Sequence, residues 1–159
     1  MSAPQLMFEE EFEEIQRVCD RLHNESNSKV VFIVDKNGQP IAASGELEDL
    51  DITSLATLTA GNIAATGGMA SLLAEKEFST QFHEGESSNI HIQIVGQRVI
   101  LVVIFDQRSS LGLVRLRVRK TSEELSAIFD RLIAKAATPG ISTPLDEITD
   151  EDIENLFND

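Results

Sequence analysis

Apolar residues recur along the chain in two rhythms, and the changes between them mark the elements. Phe8, Phe12, Ile15, Cys19 and Leu22 follow alternating steps of four and three, which predicts an opening amphipathic helix, preceded by a permissive Pro4 and ending near Asn27. VVFIVD, from Val30 to Asp35, is a short β-branched run; Asn37-Gly38 then predicts a hairpin turn into PIAAS from Pro40. Asp51 stands where it would cap a long helix from Ile52 to about Glu75. Three more strands are expected: one near Gln81–Glu84, IHIQIV from Ile90, and VILVVIF from Val99, whose unbroken apolar run suits a sheet centre. Glu86–Asn89 reads as the hairpin connection before the second of these.

The next stretch, LGLVRLRVRKTSEELSAIFDRLIAK, supports two readings. Val114, Leu116 and Val118 alternate with Arg115, Arg117 and Arg119 as in a strand, yet Leu111, Val114, Val118, Leu125, Ile128 and Leu132 keep a heptad spacing that Ser109 or Ser110 would cap. Helix is preferred. The order is then αββαβββα over residues 1–137, a Thr/Ser/Pro/Gly-rich linker over 138–144, and an acidic tail over 145–159.

A length of 159 residues suits one such domain, and 42% hydrophobic residues can fill its core, although the only aromatics are eight Phe. The net charge of −14, from 27 acids and 13 bases, disfavours nucleic acid and anionic membrane surfaces as partners. Its excess lies near Glu9–Glu14 and in the tail, where solvated faces are the simplest expectation. Arg115, Arg117, Arg119 and Lys120 form the positive cluster, read as compensation for nearby acids, with anion binding as the other option. The single Cys19 sits at a core position of the first helix and suits a cytosolic compartment; no membrane-spanning run or leader is evident.

Candidate chemistry is sparse. There is no phosphate-cradling GxxxxGK or GxGxxG pattern, so no cofactor is expected. His83 and His91 could approach across a hairpin, but a metal site or triad needs more converging groups. The acidic pairs lie where solvent would keep both members ionised.

The unusual element is the second helix. On a helical wheel Leu55, Leu58, Met69 and Leu73, with Asn62 and Thr66, form the stripe expected to lie on the sheet. The other side carries Thr53, Thr57, Ala60, Gly61, Ala64, Gly67, Gly68 and Ser71. Each interior glycine costs about 0.8–1.0 kcal/mol of helix propensity, so three of them call for a compensating close approach by another backbone. That backbone belongs to a second copy of the chain, a partner protein, or a loop of the same chain.

SLATLTAGNIAATGGMASLL on this helix, QFHEGE at the third strand, SSLGLVRLRVRK at the last helix and DEITDEDIENLF in the tail resemble the roadblock family, in its bacterial branch. The resemblance implies an α+β fold, a five-stranded antiparallel sheet with one helix on one face and two on the other. It also implies homodimers paired through sheet edges and second helices, forming a platform on which two chains bind one small Ras-like GTPase. On this resemblance Thr57, Ala60, Gly61, Ala64, Gly67, Gly68 and Ser71 are the partner-binding residues. The chain would be a GTPase-activating protein without an active site, acting in cell polarity and motility, in the cytoplasm and concentrated at a cell pole. Exchange factor and scaffold are the alternatives. No arginine, Arg108 and Arg115 included, is expected to act as a finger in the partner's site. The tail residues Leu145, Ile148, Ile153, Leu156 and Phe157 fall on one side of a short helical pattern, with Thr149 and Asp152 resembling a capping box, and are expected to contact the GTPase.

Overall fold

The structure, a computed structural model, describes residues 3–137, with side chains from residue 8 onward. The linker (138–144) and the tail (145–159) lie outside the described residues. The elements follow the predicted order: α1 (Ala3–Glu25), β1 (Val30–Asp35), β2 (Pro40–Gly45), α2 (Ile52–Leu72), β3 (Thr80–Glu84), β4 (Asn89–Val95), β5 (Val99–Phe105) and α3 (Leu111–Ala136).

All five strands pair antiparallel in the order β2-β1-β5-β4-β3, which puts the continuous apolar run of β5 at the centre. Strand alternation divides the core in two. Val31, Ile33, Val99, Leu101 and Val103 face α1 and α3, while Val30, Phe32, Val34, Ile100 and Val102 face α2. The β1–β2 turn is held by Asp35, whose Oδ1 accepts from the Asn37 and Gln39 amides at 2.9 and 3.0 Å, with Gly38 at φ +92°. Asp51 caps α2, accepting from the Ser54 amide at 3.0 Å, and Ser110 caps α3, accepting from Leu113 at 3.2 Å.

The ambiguous last segment is helix. Val114, Val118, Leu125, Ile128 and Leu132 are buried, whereas Leu116, which a strand would bury beside them, is 49% exposed. α2 stops short of Glu75, because Ala74 takes a left-handed conformation (φ 61°) just after the last turn.

Two expectations for α1 need correction. Phe12 is 46% exposed, while Val18 is buried. α3 lies on the Glu11–Glu14 side of the helix, as its ion pairs show, so the buried stripe is turned toward α3 and Phe12 falls on the far shoulder. For the same reason the acidic run is not simply solvated. Glu14 pairs with Arg131 at 2.7 Å and the buried Glu11 with Lys135; farther along, Glu25 pairs with Arg117 at 3.4 Å and Arg21 with Glu124. Compensation by the basic cluster therefore holds for Arg117, but Arg115 and Arg119 are exposed and form no salt bridge among the described residues.

The Glu11–Lys135 pair has a measurable consequence. Glu11's side chain is only 3% exposed and its Oε2 has no hydrogen-bond partner, so removal of the ammonium strands a buried carboxylate. Lys135→Ala should cost roughly 2–3 kcal/mol, allowing for the lysine's partial exposure, and lower the urea midpoint accordingly. Glu11→Gln combined with Lys135→Met should regain most of it.

Candidate protein interface

α2 is seated on the sheet by modest groups. Ala56, Thr59 and Ala70 are its buried residues, flanked by half-buried Ile52, Leu55 and Ile63. A polar clamp ties it to β3: Gln81 Oε1 accepts from Asn62 Nδ2 at 2.9 Å, and Gln81 Nε2 donates to Thr66 Oγ1 at 2.9 Å. The stripe read from the sequence is thus right for Leu55, Asn62 and Thr66 and wrong for its largest members. Leu58 is 69%, Met69 57% and Leu73 66% exposed, and Leu72 joins them at 88%. α2 is apolar almost all round, so a wheel had little contrast by which to orient it, and the small residues Ala56 and Ala70 let the helix approach the sheet closely.

Thr57, Gly61, Ala64, Gly68 and Ser71 of the expected partner-binding set are exposed; Ala60 and Gly67 are half-buried on one shoulder. A Cβ placed on Gly61, Gly67 or Gly68 would meet nothing within 4 Å. Among the described residues, then, no loop covers these glycines and nothing offsets their cost in helix propensity. Thr57 and Ala60 lie against the β1–β2 turn: a Cβ on Gly38 would come within 3.3 Å of Thr57 Cα and 3.7 Å of Ala60 Cβ, so the turn keeps a glycine where it passes the helix.

The outward face makes few polar demands. Thr57 Oγ1 donates to the Thr53 carbonyl at 3.1 Å and Ser71 Oγ to the Gly67 carbonyl at 3.2 Å, so these hydroxyls are satisfied within the helix. Glycine and alanine flanked by Leu58, Met69 and Leu72 make a flat apolar strip on which another backbone can lie close. Along one shoulder runs a groove of about 170 Å³, bounded by Ala60, Ala64 and Gly67 on one side and by Lys36, Lys76 and Phe78 on the other. β3, beside α2, is an edge strand that pairs only with β4. The opposite edge, β2, is blunted: it starts with Pro40, and Gln16 Nε2 donates to the Ala43 carbonyl at 2.9 Å. The strip thus lies uncovered among the described residues, and β3, clamped to the same helix by Gln81, is the unblunted sheet edge.

The histidines stay apart. His91 pairs in register with Phe82, and His83 with Ile90, so their side chains emerge on opposite faces of the sheet. Arg108 is held by Asp106 and Glu46, at 2.9 and 2.7 Å from its Nη2. The hydrogen bonds from Arg108 pull the Asp106 carboxyl down to about 2.

The sequence of residues 14–105 matches the model of the Roadblock/LC7 domain. The chain belongs to the Roadblock/LC7 family. Among solved members, MglB of Myxococcus xanthus is 60% identical over 79% of this chain and 95% of its own, with a TM-score of 0.76. The gliding protein MglB of Thermus thermophilus is 30% identical, covering 82% of this chain and 94% of its own at TM-score 0.68. An MglB described with a tetrameric arrangement is 28% identical, covering 82% and 93% at TM-score 0.72. No curated protein matches the chain. The roadblock fold expected from the resemblance, with α2 on one face of the sheet and α1 and α3 on the other, is the fold observed. Among the described residues no helix is long and apolar enough to cross a membrane.

Proposed function

We propose that this roadblock chain is a homodimeric activator of a small Ras-like GTPase of the MglA type. In this reading two copies pair through α2 and the β3 edge, and the joined α2 helices make a platform for one GTPase. The dimer then raises GTP hydrolysis by ordering the partner's own catalytic residues, in bacterial cell polarity and motility. The observation that carries the reading is the uncovered strip of α2, with three glycines that nothing among the described residues explains. The chain's likeness to MglB of Myxococcus xanthus supports an MglA-type GTPase as the partner in this reading.

The test is GTP turnover and nucleotide release by the MglA-type GTPase, each with and without the full chain. Faster turnover with unchanged release is the expected result. Faster release alone would make the chain an exchange factor, and binding without either effect a scaffold.

A platform of this kind needs no arginine finger, and Arg108 is engaged by its own Asp106 and Glu46. Arg108→Ala at saturating protein should change turnover by less than about threefold, where loss of a finger costs about 10³–10⁵.

The tail belongs to the same proposal: Leu145, Ile148, Ile153, Leu156 and Phe157 would contact the GTPase, folding on binding because about ten residues cannot hold a helix alone in water. Truncation after Ala137 should leave dimerisation and Tm nearly unchanged while altering GTPase affinity or nucleotide exchange. Leu156→Ala with Phe157→Ala should reproduce much of that effect.

A further inference from the structure

On the face of the sheet opposite α2 lies a polar concavity of about 450 Å³ between α3 and strands β3 and β4. Thr80, His91 and Gln93 line it from the strands; Arg115, Arg119, Ser122 and Glu123 line it from the helix. Arg115 and Arg119 stand one helical turn apart, so their guanidinium groups leave α3 on the same side. Neither forms a salt bridge among the described residues, in contrast to Arg117 next to them, which pairs with Glu25 at 3.4 Å.

Two buried polar atoms in this wall have no hydrogen-bond partner: Nδ1 of His91, a residue only 1% exposed, and Oγ of Ser122. Orphaned polar atoms are costly to bury, and these two sit just behind the wall beside the two arginines, where small rotations of the His91 ring and the Ser122 hydroxyl would let one ligand serve all four groups. Thr80 and Gln93 satisfy each other, Thr80 Oγ1 donating to Gln93 Oε1 at 2.8 Å, so they form a wall and do not compete as donors.

We propose that this concavity is an oxyanion site for a small phosphate-bearing molecule. Both guanidinium forks donate to phosphate oxygens, the Ser122 hydroxyl turns toward the same group, and His91, neutral, carries its one proton on Nδ1 and donates it. Burial and the nearby positive charge of Arg115 both hold the His91 pKa below its ordinary value, in keeping with a neutral ring. A tetrahedral dianion accepts several such bonds at once, and the volume leaves room for an organic group attached to the phosphate. Glu123, the one acid in the lining, opposes binding and makes the site weaker than its arginines alone would. The site lies across the sheet from α2 and meets the proposed dimer contact only at Thr80 of β3, so phosphate binding is read separately from GTPase binding.

The test is a ¹H–¹⁵N titration of the full chain with inorganic phosphate, against sodium chloride at matched ionic strength. Saturable shifts confined to the amides around His91, Arg115, Arg119 and Ser122 are expected. Arg115→Gln with Arg119→Gln changes only exposed side chains and should keep the fold while weakening binding at least about tenfold. Glu123→Gln should tighten it. Parallel titrations with glycerol phosphate and adenosine monophosphate separate a site for the phosphoryl group alone from one that also holds the attached organic part. Shifts that stay linear in concentration, or that are equal in the wild type and the double arginine variant, would overturn the proposal.

Discussion

Gly68→Arg is expected to lower affinity for the GTP-loaded GTPase at least about thirtyfold while leaving the fold intact. Gly68 is exposed on the α2 strip, one turn from the end of the helix, and a Cβ there meets nothing within 4 Å, so the monomer accommodates the side chain without adjustment. The change even replaces a poor helix former by a good one, a gain of up to about 0.8 kcal/mol in a helix interior. At an interface the same side chain holds two backbones apart and must be desolvated or displaced. Thermal melting and GTPase binding should therefore move in opposite directions, the midpoint equal or higher and the affinity far lower. Ala64→Arg, on the same strip, lacks the propensity gain and should lose binding without becoming more stable. A folded variant that binds the GTPase as tightly as the wild type would remove this strip from the contact.

The second large effect is expected in self-association. Leu58 and Leu72 project into solvent at 69% and 88% exposure, and neither belongs to either core of the chain. Burying a leucine is worth about 1.5–3 kcal/mol, so losing two at each helix should raise the dimer dissociation constant by about 10² or more. Leu58→Asp with Leu72→Asp adds carboxylates that an apolar contact would have to desolvate, which makes the effect larger still. Secondary structure and urea midpoint of the dilute protein should stay close to wild type. Sedimentation velocity over a concentration series reads the shift, and an unchanged dimer in the double variant would place the pairing surface elsewhere.

What the sequence reveals depends on how strongly each pattern contrasts with its surroundings. β1 and β5 are legible because both faces are buried, and the turn between β1 and β2 because Asn37-Gly38 admits few alternatives. α3 is legible only through its full length, since Arg115 to Arg119 alternate as in a strand and only Leu125, Ile128 and Leu132 beyond them carry the helical spacing to its end. The orientation of α2 is not legible. Leu58 and Leu72 are exposed while Ala56, Thr59 and Ala70 are buried, reversing the usual rule, as expected of a surface that meets another chain. For the small residues the exposed side is nevertheless as expected at Gly61, Ala64 and Gly68, and the glycines carried that signal: a solvent-facing helix has no use for them. The pocket by Arg115 and Arg119 was open to two readings in the sequence, because pairing with nearby acids depends on which face of α1 meets α3. Glu25 reaches Arg117 and leaves its neighbours unpaired.

Sedimentation equilibrium on the full chain, alone and with the MglA-type GTPase locked in its GTP form, reads the mass of the assembly in solution and with it both the pairing and the partner. Twice the 17.5 kDa chain mass is expected for the chain alone, and two chains with one GTPase when the partner is present. A 17.5 kDa monomer at micromolar concentration that leaves the GTPase uncomplexed would contradict both.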